Sequence, residues 1–340
     1  MKQDKVLGAL LAAAIGDAMG APLDSLPVYL IKRLCGGGEF VRDYTAPPEG
    51  ALAPELKKGM VSGSFSSAFA AVEAFVRHGG ISDQAVTESL LEWKNGRYKF
   101  YFDCCADPTT RYCIQKLEGS APAEDQDKFT GFQKTLNSGA AARAWVAGLL
   151  HPGDPDRAVR DALVMGLPTH DNVIALSGAC AVAAGTACAM MERSDTGRIV
   201  EAGLYGAQTG YRKALEVAGD AAGASVEKRI RLAVRIGLSC ANDLERCVNE
   251  MTDLVGTGSP ANEAVPAAFG FLVSAGGDVM ETIYRSVNAG NASSAVATMA
   301  GAMAGALRGC AGLPPRHLEY LSDVNGMDLA GTARAVSALI

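Results

Sequence analysis

Aromatic residues fill only 6% of the 340 positions, with two tryptophans among them, and histidine occurs just four times. The apolar part of the chain, 49% of it, is therefore dominated by alanine. Alanine has the highest intrinsic helix propensity and lets neighbouring helices approach closely, so a tightly packed all-α protein is expected. No alternating run competes as a strand, and no heptad persists long enough for a coiled coil. Cationic excess is also missing: the net charge is -6, which removes the general electrostatic reason to bind nucleic acid or an anionic membrane. Nine cysteines occur without a CxxC or zinc-ligand spacing, and an odd number argues against a fully paired secreted scaffold. They read as small buried hydrophobes in a reducing cytoplasm rather than as nucleophiles. A serine-histidine-acid hydrolase lacks its usual context as well: there is no GxSxG elbow after a strand, and Gly63-Ser64-Phe65 does not supply one.

What is present is a series of apolar helical segments with polar ends. Lys2 and Lys5 precede Val6, Leu7, Leu10, Leu11, Ala14 and Ile15, which recur at helical spacing and run into Gly16-Asp17-Ala18-Met19-Gly20-Ala21-Pro22. A structured turn at that point is unlike a processing site, so this segment is read as the first core helix and not a signal peptide. The chain then loses periodicity to about Gly63, and again from Asn95 to Thr110; both stretches are expected to be loops over a pocket. Phe129, Phe132 and Leu136 lie at helical spacing before the turn Asn137-Ser138-Gly139. The longest uncharged run, the 19 residues from Val173 to Met191, follows Thr169-His170-Asp171-Asn172. It has the length of a membrane span, but its Gly, Ser, Thr and Cys content gives little gain on transfer to lipid, so it is read as a buried central helix. The polar tetrapeptide before it sits at a helix N-terminus, where free N–H groups favour an electron-rich ligand. Gly301, Gly305 and Gly309 are spaced to let a helix backbone approach a buried neighbour. The whole chain, 1–340, is read as one domain.

Polar residues beside glycine and alanine recur at Asp17, Ser62 to Ser67, Asn137-Ser138, Thr169 to Asn172, Asp278 to Glu281 and Asn288 to Ser294. Capping explains each of them singly, since Ser, Asp and Asn satisfy orphan N–H groups. If the helix ends converge, they build a polar pocket.

The motifs Val6-Leu7-Gly8-Ala9-Leu10-Leu11, Gly16 to Pro22, Asn137-Ser138-Gly139-Ala140, Pro168-Thr169-His170, Asn288-Ala289-Gly290 and Gly301 to Ala306, in this order, resemble the ADP-ribosylglycohydrolase family. The resemblance implies an all-helical fold and hydrolysis of N- or O-glycosidic bonds to ADP-ribose, in the family usually with magnesium or manganese. At the family's metal-binding positions this chain departs. Ser64-Phe65-Ser66-Ser67 stands where the family has Thr-Asp-Asp-Thr, and Gly290-Asn291-Ala292-Ser293-Ser294-Ala295 where it has Gly-Gly-Asp-Thr-Asp-Thr. Hard divalent cations require anionic oxygen ligands, and Phe65 and Ala292 provide none, so no metal and no cofactor are expected.

Two readings stand beside each other. One is a ribosyl N-glycoside hydrolase acting on a modified nucleoside or ribosyl conjugate, with Asp17, Asp278 or Asp171 as the carboxylate that activates water. Ser64, Ser66, Asn137, His170, Asn172, Asn291 and Ser294 would then contact the substrate. The other is a noncatalytic relative that binds a nucleotide-like ligand or a partner protein. The expected partner is a small ribosyl or nucleoside-like molecule in either case; no nucleic acid or membrane is expected, and the oligomeric state is left open.

Overall fold

The computed structural model describes residues 2–34, 39–120 and 136–340, so the expected helical spacing at Phe129 and Phe132 lies outside the described residues. The regular structure of the described residues is helical, and their one β-type contact is an isolated bridge between Asn137 and Pro260. In chain order the helices are α1 (Lys2–Gly20), followed by a 3-10 turn (Ala21–Leu23), α2 (Val28–Leu34), α3 (Gly63–His78), α4 (Asp83–Asn95), α5 (Lys99–Cys105) and α6 (Pro108–Leu117). After residue 136 come α7 (Gly139–Leu150), α8 (Pro155–Gly166), α9 (Val173–Ala189), α10 (Thr196–Ala214), α11 (Val226–Ser239) and α12 (Leu244–Glu250), which passes into a π-turn (Met251–Val255). The chain ends with α13 (Ala261–Ser274), α14 (Val279–Val287), α15 (Ser293–Arg308), α16 (Arg316–Asn325) and α17 (Leu329–Leu339).

Short polar side chains start these helices as the sequence suggests. Ser62 accepts the amide of Ser64, Ser82 that of Ala85, and Asn172 those of Ile174 and Ala175 at 2.9 and 3.1 Å. Every residue of α9 is buried, which makes it the central helix that its uncharged sequence implies. Among the described residues one helical span, Lys2–Leu23, is long and apolar enough to cross a membrane, and 94% of its 18-residue apolar window is buried inside the protein. Two segments differ from expectation. The helix α2, seven residues long, lies in the stretch before Gly63 that is expected to be a loop. Within Asn95 to Thr110, read as irregular, lies α5, whose seven residues are too few for periodicity to register, and Asp107 starts α6 by accepting the amide of Thr110.

The packing of α1 on α15 places the polar helix ends. A Cβ on Gly305 would lie 2.1 Å from the carbonyl oxygen of Gly8, and one on Gly16 would lie 2.5 Å from that of Ala297. Contacts this short exclude any side chain and bring the two backbones together along their length. Because α1 and α15 run antiparallel, the end of α1 at Gly20 meets the start of α15 at Ser293 and Ser294. At the other end of this pair, the buried Lys5 ammonium donates to the carbonyls of Ala189 (2.8 Å), Met191 (2.9 Å), Ala306 (3.1 Å) and Leu307 (3.2 Å). It thereby closes the C-termini of α9 and α15 with one positive charge.

Candidate functional site

At the meeting point of α1, α3 and α15 lie two carboxyl groups. Asp17, on the last turn of α1, is fully buried. Its Oδ2 accepts the backbone N–H of Ser62, and its Oδ1 accepts the hydroxyls of Ser62 (2.7 Å) and Thr298 (3.1 Å). Burial pushes its pKa up from 3.8 to about 6, although these hydrogen bonds pull the other way. Asp24, half-buried in the loop after the 3-10 turn, accepts the N–H of Ser294 at 2.9 Å and its hydroxyl at 2.6 Å. Its carboxyl therefore stands at the N-terminus of α15, where an anion is favoured. Burial raises its pKa to about 7, and the nearby Asp17 charge adds a smaller push in the same direction. Backbone bonds fix this loop to the start of α15: Ser25 donates to the Asn291 carbonyl at 2.6 Å, and Asn291 donates to that of Leu26 at 3.1 Å.

A second polar cluster forms around His170. The ring is fully buried, with Nδ1 2.8 Å from the Thr169 hydroxyl and Nε2 2.7 Å from Asn137 Oδ1. Burial, with the Arg143 charge beside it, lowers its pKa to about 3, so the imidazole is neutral. Arg143, itself buried and lowered to about 10 by that burial, donates to the Thr169 hydroxyl and to the Met165 carbonyl (3.3 Å). Asn137 Nδ2 donates to Asp107 Oδ1 at 3.3 Å. The junction between α5 and α6 joins the two clusters. The Cys105 thiol lies against the backbone N–H of Gly63 and close to Asp17 and Asp24; burial first, then Asp17, pushes its pKa upward. Two residues later Asp107 faces Asn137. Cys105 and Asp107 are separated by no more than about 7 Å of chain, so the carboxyl pair and the His170 cluster flank the same short segment. Arg111 holds that segment by donating to the carbonyls of Phe102 (2.9 Å), Asp103 (2.6 Å) and Ala106 (2.8 Å).

The residues at the family's metal positions do not fit a dinuclear centre. Phe65 is buried against Phe69 and Trp145, with ring centroids 5.7 and 6.3 Å away. The Ser66 hydroxyl receives the Trp93 indole N–H at 3.0 Å. Ala292 has no ligand atom, and Ser294 directs its hydroxyl to Asp24. Among the described residues no group of three or more His, Cys, Asp and Glu could hold a metal ion. Neutral hydroxyls already committed to protein partners cannot repay dehydration of magnesium.

Other candidates are spread more widely. Asn172 is buried as the cap of α9, and Ser64 is half-buried in the first turn of α3. Asn291 is exposed, with φ at +56°, and donates to the Thr257 hydroxyl at 3.1 Å. Exposed Asp171 accepts the Gly219 N–H at 2.9 Å. Asp278 is an exposed cap of α14, and the adjoining Gly277 packs on Leu307 near the end of α15. Thirteen residues of helix separate Leu307 from Ser294, so Asp278 stands roughly 20 Å from the carboxyl pair. Asp24 and Asp107 were not singled out by sequence reasoning. Asp24 is the one carboxylate between Asp17 and Glu39, and Asp107 precedes Pro108 in a helix-start pattern; those were the available signals. Cavities of about 490 Å³ beside Glu73, Arg77 and Tyr98, and of about 600 Å³ beside Asp243 and Arg246, lie away from both clusters.

Comparison with known proteins agrees with the motifs. The chain is 25% identical over 339 residues to the uncharacterized protein YegU of Escherichia coli (strain K12), covering 99% of this chain and 97% of that one. It is 26% identical over 324 residues to an uncharacterized protein of Archaeoglobus fulgidus, covering 94% and 92% respectively. A solved structure described as an ADP-ribosylglycohydrolase-related protein complex superposes with a TM-score of 0.68 at 19% identity, over 99% of this chain and 98% of the other, which shows a shared fold. The ADP-ribosylglycohydrolase family model matches residues 1–340, in agreement with the helical fold and the ordered motifs, and the chain belongs to the ADP-ribosylglycohydrolase family.

Proposed function

We propose that this protein is a ribosyl N-glycoside hydrolase that works without the family's dinuclear metal centre, on a modified nucleoside or another ribosyl conjugate. The observation that carries the reading is the adjacent carboxyl pair, Asp17 at about 6 and Asp24 at about 7. A carboxyl near neutrality exists in both forms at working pH and serves as an efficient general base or acid. Asp24 is the better placed of the two, because it sits in a half-buried loop at the start of α15 while Asp17 lies within a fully buried turn of α1. Ionised Asp24 takes a proton from water as the water attacks the anomeric carbon; the glycosidic bond breaks with its electron pair left on the base nitrogen, which takes up a proton from solvent and departs as the free base. Asp17 holds Ser62 and Thr298 and adds negative charge that stabilises an oxocarbenium-like transition state. Ser64, Asn137 and Asn291, at the adjoining helix starts, are the proposed contacts to ribose hydroxyls or base.

A specific observation also favours the second reading, a noncatalytic ligand-binding relative. Both oxygens of Asp24 are engaged by Ser294, and both ring nitrogens of His170 are bonded inside the protein. The experiment is release of chromophore or free base from 4-nitrophenyl riboside and a panel of modified nucleosides, in excess chelator. Turnover that falls by about 100-fold or more in Asp24→Asn supports the hydrolase. Saturable calorimetric binding with no turnover supports the noncatalytic relative, and turnover that requires added metal would overturn both.

A further inference from the structure

The hydrogen bonds around His170 have a definite direction. Asn137 Oδ1 already receives the Gly139 N–H at 2.9 Å, so it is the acceptor end of the amide, and the His170 nitrogen 2.7 Å away must carry a hydrogen. His170 is therefore the Nε2–H tautomer, and its Nδ1 accepts the Thr169 hydroxyl at 2.8 Å. Thr169 in turn receives Arg143, and the remaining Asn137 group, Nδ2, donates to Asp107 at 3.3 Å. One chain of donors thus runs from the buried guanidinium through Thr169, His170 and Asn137 to a carboxylate. The two ends are opposite charges, and each intermediate group has a single orientation that satisfies both neighbours. Asp107 is anchored independently, since its two oxygens also receive the Thr110 amide (3.1 Å) and hydroxyl (2.6 Å) at the start of α6.

We propose that Asp107 is a positioning residue: its carboxylate terminates this donor chain and, together with the Gly139 N–H, fixes the Asn137 amide and through it the His170 tautomer. With Oδ1 occupied twice and one Nδ2 hydrogen given to Asp107, half-buried Asn137 keeps one N–H to offer among the described residues. That donor suits an oxygen acceptor, such as a hydroxyl or carbonyl of the ribosyl or nucleoside ligand. The ligand-contact part of this inference rests on the proposed function, whereas the tautomer part stands without it.

The test is nuclear magnetic resonance of protein carrying ¹⁵N-labelled histidine, in wild type and Asp107→Asn, alongside kinetics or calorimetric binding with 4-nitrophenyl riboside. Asparagine retains the cap on α6 but can present its amide either way round, and it removes the charge opposite Arg143. Wild-type His170 is expected as a single Nε2–H tautomer that does not titrate between about pH 5.5 and 8. Asp107→Asn is expected to give mixed tautomers and about tenfold weaker affinity or higher KM, with kcat changed less. A single Nε2–H tautomer in both proteins would overturn the proposal. Should Asp107→Asn fail to fold, Asn137→Ser cuts the chain while leaving the Asp107 cap in place, and an unchanged tautomer there would overturn it equally. Absence of turnover in every protein would refute the hydrolase reading while leaving the tautomer measurement decisive.

Discussion

Replacing Asp17 by asparagine should change how stability depends on pH, with a sign that is opposite to that of an ordinary paired carboxylate. Burial raises the folded pKa from 3.8 to about 6. The folded state therefore holds a proton that the unfolded chain releases, so the stabilisation is fully present below about pH 4 and is lost as pH rises through about 6. Two pKa units at about 1.4 kcal/mol each amount to about 3 kcal/mol. The wild-type curve alone does not isolate this effect. His170, lowered to about 3, and His317, also lowered by burial, lose stability on acidification as the unfolded imidazoles take up protons near their ordinary 6.5. The diagnostic quantity is the wild-type stability minus that of Asp17→Asn, measured by urea unfolding at half-unit steps. That difference should fall by about 2.4 kcal/mol between pH 4 and 7, most of the total of about 3 kcal/mol. Removing the Asp17 charge also lets the Asp24 pKa drop, which adds to the fall in the same direction. Beneath it lies a pH-independent loss of about 1 to 3 kcal/mol, because an asparagine N–H₂ would face the Ser62 donors. A difference that is flat, or that grows as pH rises, would refute the claim that burial outweighs the hydrogen bonds at Asp17.

Lys5→Met should cost about 3 kcal/mol or more in chemical unfolding, since four carbonyls at two buried helix ends lose their donor; a loss under 1 kcal/mol would show that water replaces it. Gly305→Ala should destabilise by about 1 to 3 kcal/mol by forcing α1 from α15, while Gly312→Ala, with no atom within 4 Å of the new methyl, should stay within about 0.5 kcal/mol. Equal melting temperatures for these two variants would contradict the close crossing. Calorimetric titration with magnesium or manganese should give no binding heat attributable to Ser66 and Ser294, and tight binding abolished by changes at those serines would reverse the fit argument. His170→Ala should lower the melting temperature as well as ligand affinity, because both ring nitrogens are bonded internally; lost affinity at unchanged melting temperature would place the ring against the ligand.

The sequence by itself determined most of the longer helices and many of their caps, but not the short α2 and α5, which lie in stretches without periodicity. Alanine-rich periodic segments, and caps such as Ser62, Ser82 and Asn172, act within one or two turns, so their physics is visible in neighbouring residues. The uncharged composition of Val173 to Ala189 required burial on every side, and the glycines of α15 required a close partner, although not a particular one. The loss of metal ligands at Phe65 and Ala292 was equally readable, because it depends on side-chain chemistry alone. Only the tertiary structure decided which polar ends meet. Asp24 finds Ser294 across 270 positions and Asp17 finds Thr298 across 281, after the glycine-lined crossing of α1 and α15 has set them side by side. Asp278, indistinguishable in sequence from any other acidic helix start, is left at the far end of the same helix pair. The raised pKa values arise in the same way, since desolvation is a property of the assembled core and not of the aspartate or its chain neighbours.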